Sequence, residues 1–239
     1  NAYGVRPFAS EADLHAVRMN PEWIAHLKRV LDLAREAGLY LALLPTWGDK
    51  WNEHSNSAGP VVMDAESGRA YTRMLSDELA DYPNVIWMLG GDSPIQTQAH
   101  AEVIHAMAAG LREGGSGDRL ITFYPCHDAA SDIFHTASWL DFNCLQSGHA
   151  HPNIADYRHI EAQYRLNPPK PCLNAEANFE ECPMFYLFTE SDRPPYEPLF
   201  SAYDVRKCLY RSVLAGGAGF AYGCEPIRQL HREGDRIHV

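Results

Sequence analysis

The stretch PNVIWMLGGDSP, residues 83–94, decides the fold class of this chain. Its apolar run VIWML lacks the alternation of a half-buried strand, and therefore predicts a strand covered on both faces. The run ends in two glycines, Asp92 and a proline. A buried strand that ends at a carboxylate on flexible backbone is typical of the carboxyl end of a parallel strand, where α/β proteins place functional groups.

Alternating helical and buried-strand patterns continue along the rest of the chain. Residues 21–38 have apolar residues at helical spacing, with Asn20 as N-cap and Gly38 as the stop. The run LYLALLPTWG, residues 39–48, predicts a strand buried on both faces. Further helices are predicted near 65–81, 98–113, 153–166 and 202–215, with a short helix or loop over 129–138, and further strands at 84–91, 119–125, 141–148, 171–178 and 218–223.

Six strand–helix alternations predict an α/β fold with parallel strands. A doubly wound open sheet usually carries a Gly-rich nucleotide loop, GxGxxG or GxxxxGK[ST], and neither motif occurs here. Polar residues follow every predicted strand, which favours a (β/α)8 TIM barrel. We expect one or two barrel strands to precede Asn1, and the Pro-rich residues 183–198 to form a long loop over the barrel mouth.

The composition restricts the classes of partner. The formal net charge of −11 argues against nucleic acid or an anionic membrane as partner, because both favour a basic surface. No stretch approaches the roughly 20 apolar residues of a membrane helix. The six cysteines include no CxxC pair, which argues against a zinc ribbon or a thioredoxin-type site. They are predicted to be reduced core residues, with one or two disulfides as the alternative.

The predicted strand ends carry the residue types that bind sugars. Carboxylates, amides and imidazoles bind hydroxyl groups, while tryptophan and tyrosine rings pack on the CH faces of a sugar ring. In a barrel all of these side chains converge on one face. We therefore predict a carbohydrate substrate and no cofactor. The predicted substrate-binding residues are Trp47, Tyr124, His127, Gln146, His149, Asn174, Glu180 and Tyr222.

Asp92 and Glu176 are the predicted catalytic acids. Each directly ends an apolar strand, and two carboxylates are the minimum for glycoside hydrolysis. Gly90 and Gly91 would let the backbone approach a ligand closely. The alternative is structural, since acids at strand ends also cap helices and form ion pairs. Asp92 could be an N-cap. The rivals of Glu176 are Glu180, Glu181 and Glu225, and Trp87 could wall the site or lie in the core.

Two other functions are consistent with the sequence. A metal-dependent TIM-barrel hydrolase would use His127, His149 and His151, because His149 and His151 have a spacing known from metal sites. A non-catalytic carbohydrate-binding barrel would bind sugars without turnover. Its acids would lie too far apart to cooperate.

Five strings share a resemblance to a known family: LPTWGDKWN, NVIWMLGGD, SWLDFNCLQSGH, NAEANFE and GGAGFAYG. Together they resemble the apiosidase-like barrel family, which includes glycoside hydrolase family 140 and related domains. The resemblance covers nearly all of the chain, and implies that residues 1–239 form a single glycoside-hydrolase-type barrel domain. It also implies retaining cleavage of glycosidic bonds in plant cell-wall (pectin-type) polysaccharide, in a secreted or periplasmic location.

The resemblance assigns roles to the same two acids. Asp92 in WMLGGD would be the acid/base, and Glu176 in NAEANFE would be the nucleophile. One departure concerns the family string Glu-Pro-x-Tyr-Glu, in which the tyrosine is replaced here by Phe179. This replacement removes a hydroxyl that could bind sugar, so the substrate could differ.

Overall fold

The computed structural model describes residues 4–10, 17–53, 59–126, 129–149, 153–184 and 198–230. The chain divides into two compact units. The N-terminal unit comprises Asn1–Phe123 with Ser138–Leu140, and the C-terminal unit comprises Tyr124–Ala137 with Asp141–Val239.

The N-terminal unit contains the predicted alternation of helices and strands. Its elements are α1 (Pro21–Glu36), β1 (Leu41–Leu43), a 3₁₀ turn (Gly48–Lys50), α2 (Ala65–Glu78), β2 (Val85–Gly90), α3 (Gln98–Glu113) and most of β3 (Ile121–Tyr124). The strands form one sheet in the order β1-β2-β3, and β1 runs parallel to β2. Nearly all of β2 is buried, as its apolar run predicts.

Local capping determines where the helices of this unit begin and end. The Asn20 side chain accepts a hydrogen bond from the Glu22 N–H at 3.0 Å, and Gly38 has a φ of 72° just beyond the end of α1. The first residue, Pro21, lacks the N–H that a first helical turn leaves unpaired. Asp64 and Ser67 form a capping box at the start of α2, in which each side chain accepts a hydrogen bond from the backbone N–H of the other residue.

The C-terminal unit contains shorter elements. They are β4 (Ala129–Ala130), a 3₁₀ turn (Ser131–Phe134), β5 (Asn143–Gln146), α4 (Asp156–Tyr164), β6 (Cys172–Glu176), β7 (Phe179–Glu180), α5 (Ala202–Leu214), β8 (Gly219–Phe220), β9 (Gly223–Cys224) and α6 (Glu225–Arg228). One sheet has the order β4-β5-β6-β8, in which β5, β6 and β8 are parallel and β4 is antiparallel to β5. The strands β7 and β9 form a separate parallel pair.

The structure corrects several sequence predictions. The run at 39–48 forms a strand of only three residues whose central Ala42 is exposed, because β1 lies at one end of the sheet order rather than inside it. The predicted strand at 218–223 is two short strands, β8 and β9, in different sheets. β7 and α6 were not predicted. The described strands form sheets of three, four and two strands, without a closed barrel among them.

Other predictions agree with the structure. All six cysteines lie in the described part of the chain without a disulfide between them, and four of them are buried. No helix in the described part of the chain combines the length and hydropathy that a membrane span requires. Residues 185–197, most of the predicted Pro-rich loop, lie outside the described residues.

Gly91, directly after β2, packs closely against another backbone segment of the same unit. Gly90, Gly91 and Asp92 have consecutive φ values of 106°, 101° and 54°. A Cβ on Gly91 would lie 2.7 Å from the Gly48 nitrogen, and the Gly48 N–H donates to the Gly91 carbonyl at 3.1 Å. The glycines therefore allow a left-handed turn to pack directly against the backbone that follows β1.

We expect Gly91→Ala to destabilise the protein by about 3 kcal/mol or more, because strained backbone and a steric clash act together. Gly38→Ala is the matched control. Its φ is also positive, but nothing lies within 4 Å of a Cβ there. It should cost only about 1–2 kcal/mol. Urea unfolding of both variants measures the difference, and equal losses would contradict the role of close packing.

A buried polar network connects α4, α5 and β6. The Ser212 hydroxyl donates to Asp156 Oδ2 at 3.3 Å, and the Asn174 amide donates to Ser212 Oγ at 3.1 Å. Asp156, Asn174 and Ser212 are all fully buried. Burial raises the pKa of Asp156, and hydrogen bonds to the carboxylate and the nearby charge of Arg211 offset this only in part.

Asp156 should therefore make stability depend on pH. Because its native pKa is raised, the native state binds this proton more tightly than the unfolded state does. Its contribution to stability is most favourable below the unfolded pKa of about 3.9 and declines as pH rises through the raised native pKa. We expect Asp156→Asn to be increasingly stabilising, relative to wild type, between about pH 4 and pH 7. Thermal unfolding across this range tests it, and a constant difference would contradict it.

Candidate active site

The parallel pair β5 and β6 places Glu176 in the C-terminal unit. Leu145 pairs with Asn174, but the next residue, Gln146, pairs with Glu176, so that the register shifts by one residue at Ala175. A shift of this kind re-aims the side chains that follow it. The carboxyl ends of the two strands thus bring Glu176 beside the segment that follows β5.

Both oxygens of the Glu176 carboxylate are hydrogen-bonded. The Tyr124 hydroxyl donates to Oε2, and Nε2 of His149 lies 2.8 Å from Oε1. The side chains of Glu176 and His149 are each 17% exposed. The carboxylate is therefore held in one orientation and still reaches solvent, which is the arrangement that a nucleophile needs.

Backbone contacts position His149. The Gly148 N–H donates to the Glu176 carbonyl at 3.0 Å, and the Asn178 amide donates to the Gly148 carbonyl at 3.1 Å. These two hydrogen bonds join the segment after β5 to Glu176, the last residue of β6, and to Asn178, two residues beyond it. The ring of Phe179 packs against the His149 ring, with centroids 4.2 Å apart.

Gln146 and Asn174 were both predicted to bind substrate, and the structure distinguishes them. Asn174 is fully buried and donates to Ser147 and Ser212 at 3.1 Å each. These hydrogen bonds hold β6 in place below the site, and the binding of substrate by Asn174 stays a prediction. Gln146 is 2% exposed, and its Oε1 has no hydrogen-bond partner in the described part of the chain. An unpaired buried acceptor costs about 1–3 kcal/mol, so a sugar hydroxyl or a water would be favourable there.

Glu180 and Tyr222 form a pair in the C-terminal unit. The Tyr222 hydroxyl donates to Glu180 Oε2 at 2.8 Å, and Tyr222 is 57% exposed. This hydrogen bond raises the pKa of Tyr222 above its usual value, so the hydroxyl remains a donor at neutral pH. The exposed ring and the carboxylate offer both contacts that a sugar requires.

Asp92 and Trp47 lie in the N-terminal unit. Asp92 is half-buried at the turn after β2, and Trp47 is 43% exposed. Thr97, and not Asp92, caps α3, because its side chain accepts from the His100 N–H. The N-cap alternative for Asp92 is therefore wrong. Trp87 is fully buried and donates to Ser116, so it is a core residue.

The other acids at strand ends have structural partners or are exposed. Asp49 forms an ion pair with Lys50 at 2.9 Å. Glu225 is 3% exposed and accepts hydrogen bonds from Arg228 and Gln229. Burial acts to raise the pKa of Glu225. The hydrogen bonds and the neighbouring positive charges have the larger effect, so the pKa lies below its usual value. Glu181 is exposed. Glu176 differs from Asp49, Glu225 and Glu181 because it is held by a tyrosine and a histidine and is still partly exposed.

The metal alternative depends on residues that the structure describes only in part. His127 and His151 lie outside the described residues. Within the described ranges, no group of three or more histidine, cysteine or acidic side chains could hold a metal ion. His149 instead contacts Glu176.

Sequence reasoning missed several contacts around Glu176. Tyr124 was predicted to bind sugar, and its hydroxyl contacts the carboxylate itself. Ser147 accepts a hydrogen bond from Asn174, and Asn178 donates one to the Gly148 carbonyl. The sequence did not predict that these two residues support the site, although they belong to the polar strings QSGH and NAEAN. Their position just beyond strand ends was the only available signal, and it does not indicate which atoms meet.

Several solved structures that are similar to this chain are named as glycoside hydrolases. One solved structure, named glycoside hydrolase, is 29% identical over 89% of this chain, with a TM-score of 0.75. A glycoside hydrolase family 5 structure from Bacteroides vulgatus is 30% identical over 89% of the chain, with a TM-score of 0.74. GH5_18 from Streptomyces cattleya, in complex with GlcNAc, is 16% identical over 87% of the chain and 57% of its own, with a TM-score of 0.59, and shows the fold alone.

The chain spans 48% and 45% of the first two of these structures, which is about half their length. Among proteins of curated function, none is significantly similar to it. The model of the apiosidase-like catalytic domain matches residues 1–238. Since that match extends over almost every residue, the chain belongs to the apiosidase-like catalytic-domain family.

Proposed function

We propose that this protein is a glycoside hydrolase that uses Glu176 as its nucleophile. The observation that carries the proposal is the Glu176 carboxylate, which accepts from Tyr124 at one oxygen and from His149 at the other. The family match and two glycoside hydrolase structures with about 30% identity support it. Tyr124 and His149 hold an anion in place, and this reduces the reorganisation needed for attack.

The proposed reaction retains the configuration of the sugar. Glu176 attacks the anomeric carbon, while Asp92 gives its proton to the departing glycosidic oxygen as the carbon–oxygen bond breaks. A glycosyl ester of Glu176 results. Asp92 then removes a proton from water, and the oxygen of that water attacks the anomeric carbon, releasing the sugar and the Glu176 carboxylate.

Features of the N-terminal unit support Asp92 as the acid/base. It lies two residues beyond the end of the buried strand β2, on a turn in which Gly90 and Gly91 also have positive φ. It does not cap the following helix, since Thr97 does so. Trp47, exposed after β1, is proposed to pack on the face of a sugar ring.

We propose a pectin-type plant cell-wall polysaccharide or oligosaccharide as the substrate, following the family resemblance. His127, His149, Gln146, Glu180 and Tyr222 are proposed to bind its hydroxyl groups. The family match over residues 1–238 supports a single catalytic domain of the (β/α)8 barrel class. Phe179, which lacks the family's tyrosine hydroxyl, is where the substrate preference should differ.

Glu176→Gln tests the nucleophile. We expect kcat on a pectin-derived substrate to fall by at least about 10³-fold, because an amide cannot form the glycosyl ester. Circular dichroism should show an unchanged fold. Glu181→Gln, which neutralises an exposed acid nearby, is the matched control and should retain activity. Near-normal turnover by Glu176→Gln would show that another group attacks.

Asp92→Asn and the product configuration test the acid/base and the mechanism. We expect kcat/KM, which reports the step in which the glycosidic bond breaks, to fall by about 10²–10⁴-fold on natural substrates, and by much less on aryl glycosides whose leaving group needs no proton. Proton NMR of the first product should show the anomeric configuration of the substrate. Inversion would contradict a glycosyl-enzyme ester, and equal losses on both substrates would contradict proton donation by Asp92.

A further inference from the structure

Phe179 forms one wall around His149. The two ring centroids are 4.2 Å apart, and the ring planes are tilted by 51°. A second contact of the imidazole is polar, since Nε2 lies 2.8 Å from Glu176 Oε1. The Phe179 ring offers no strong acceptor, so it does not compete with Glu176 for the Nε2 proton.

Gly223 provides the space for this ring. Phe179 and Gly223 are directly paired in the parallel ladder of β7 and β9. A Cβ at Gly223 would lie 1.9 Å from Cδ1 of Phe179, far inside any contact distance. Any residue larger than glycine would therefore displace the ring. The glycine is explained by this packing alone, because the φ of Gly223 is not positive.

The orientation of His149 depends on this wall. Its backbone is anchored through Gly148, but a backbone hydrogen bond does not fix the side-chain torsion angles that orient the ring. Packing against Phe179 limits this rotation. A rotated imidazole would lose the contact with Glu176 Oε1, and misplacement by about 1 Å at a reacting group can lower the rate by about 10²-fold.

We propose that Phe179 is a positioning residue: its ring, seated in the space left by Gly223, holds the His149 imidazole against Glu176. This deepens the proposed function and rests on Glu176 as the nucleophile. It predicts that Phe179 and Gly223 affect kcat only through His149. It also predicts that the aromatic ring of Phe179 is the property that positions His149.

Kinetics of single variants test the first prediction. Phe179→Ala should lower kcat by about tenfold to about a hundredfold, with little change in KM. Phe179→Tyr keeps the ring and should retain most of the activity. Phe134→Leu, at a buried phenylalanine of the same unit, is the matched control and should lower stability without lowering kcat. Equal losses for the alanine and tyrosine variants would overturn the proposal.

Double variants test whether the residues act through one another. Gly223→Ala should resemble Phe179→Ala, and adding it to Phe179→Ala should change kcat by less than about twofold, since the clashing ring is absent. Phe179→Ala should likewise have little effect in a His149→Ala background. Additive losses in either pair would overturn the proposal, because additivity means independent action.

NMR of histidine-labelled protein gives a readout without turnover. The His149 ring signals, identified by their loss in His149→Ala, should be shifted by the ring current of Phe179. The shift should persist in Phe179→Tyr and in Glu176→Gln, and disappear in Phe179→Ala. An unchanged spectrum in Phe179→Ala would overturn the packing. If the packing is observed but Glu176→Gln remains active, the nucleophile assignment fails instead, and with it the positioning role.

Discussion

The parallel pairing of β5 with β6, and the one-residue shift in its register, is the constraint on which the candidate site depends. The shift sets Glu176 opposite Gln146. The backbone after β5 then bonds to the Glu176 carbonyl through the Gly148 N–H, and this brings His149 to the carboxylate. A pairing without the shift would place Ala175 opposite Gln146, and Glu176 would lie one residue beyond the strand pair.

Burial and pairing distinguish Glu176, the proposed nucleophile, from the structural acids described in the C-terminal unit. Asp156 is fully buried in a hydroxyl and amide network, and Glu225 is buried against Arg228. Glu176 is also hydrogen-bonded, but to a tyrosine and a histidine, and it remains partly exposed. A carboxylate that is held by donors yet accessible can exchange one contact for a substrate, whereas a buried ion pair cannot do so without a large desolvation cost.

Two glycines in this protein allow close packing, one between backbone segments and one against a side chain. Gly91 lets the turn after β2 contact Gly48, and Gly223 makes room for Phe179. The sequence suggested that Gly90 and Gly91 let the backbone approach a ligand, and the structure shows Gly48 and Trp47 backbone atoms where a Cβ of Gly91 would lie. Both cases place a glycine next to a residue proposed to act in catalysis, so that the packing fixes where the functional group stands.

The sequence by itself determined the features that depend on neighbouring residues. Asn20 and Gly38 bound α1, the 98–113 helix is reproduced residue for residue, and the apolar runs predicted most of the strands and both candidate acids at their ends. Periodicity and capping are local, so the sequence is sufficient to show them.

Only the tertiary structure decided which side chains meet. Asn174 and Glu176 stand two residues apart on one strand, yet one is sealed into a buried network and the other faces Tyr124 and His149. The sequence also did not predict that the 218–223 run divides between β8 and β9. It did not predict that Phe179 packs against Gly223. These outcomes depend on pairing register and on contacts between segments that are tens of residues apart, and no local pattern encodes either.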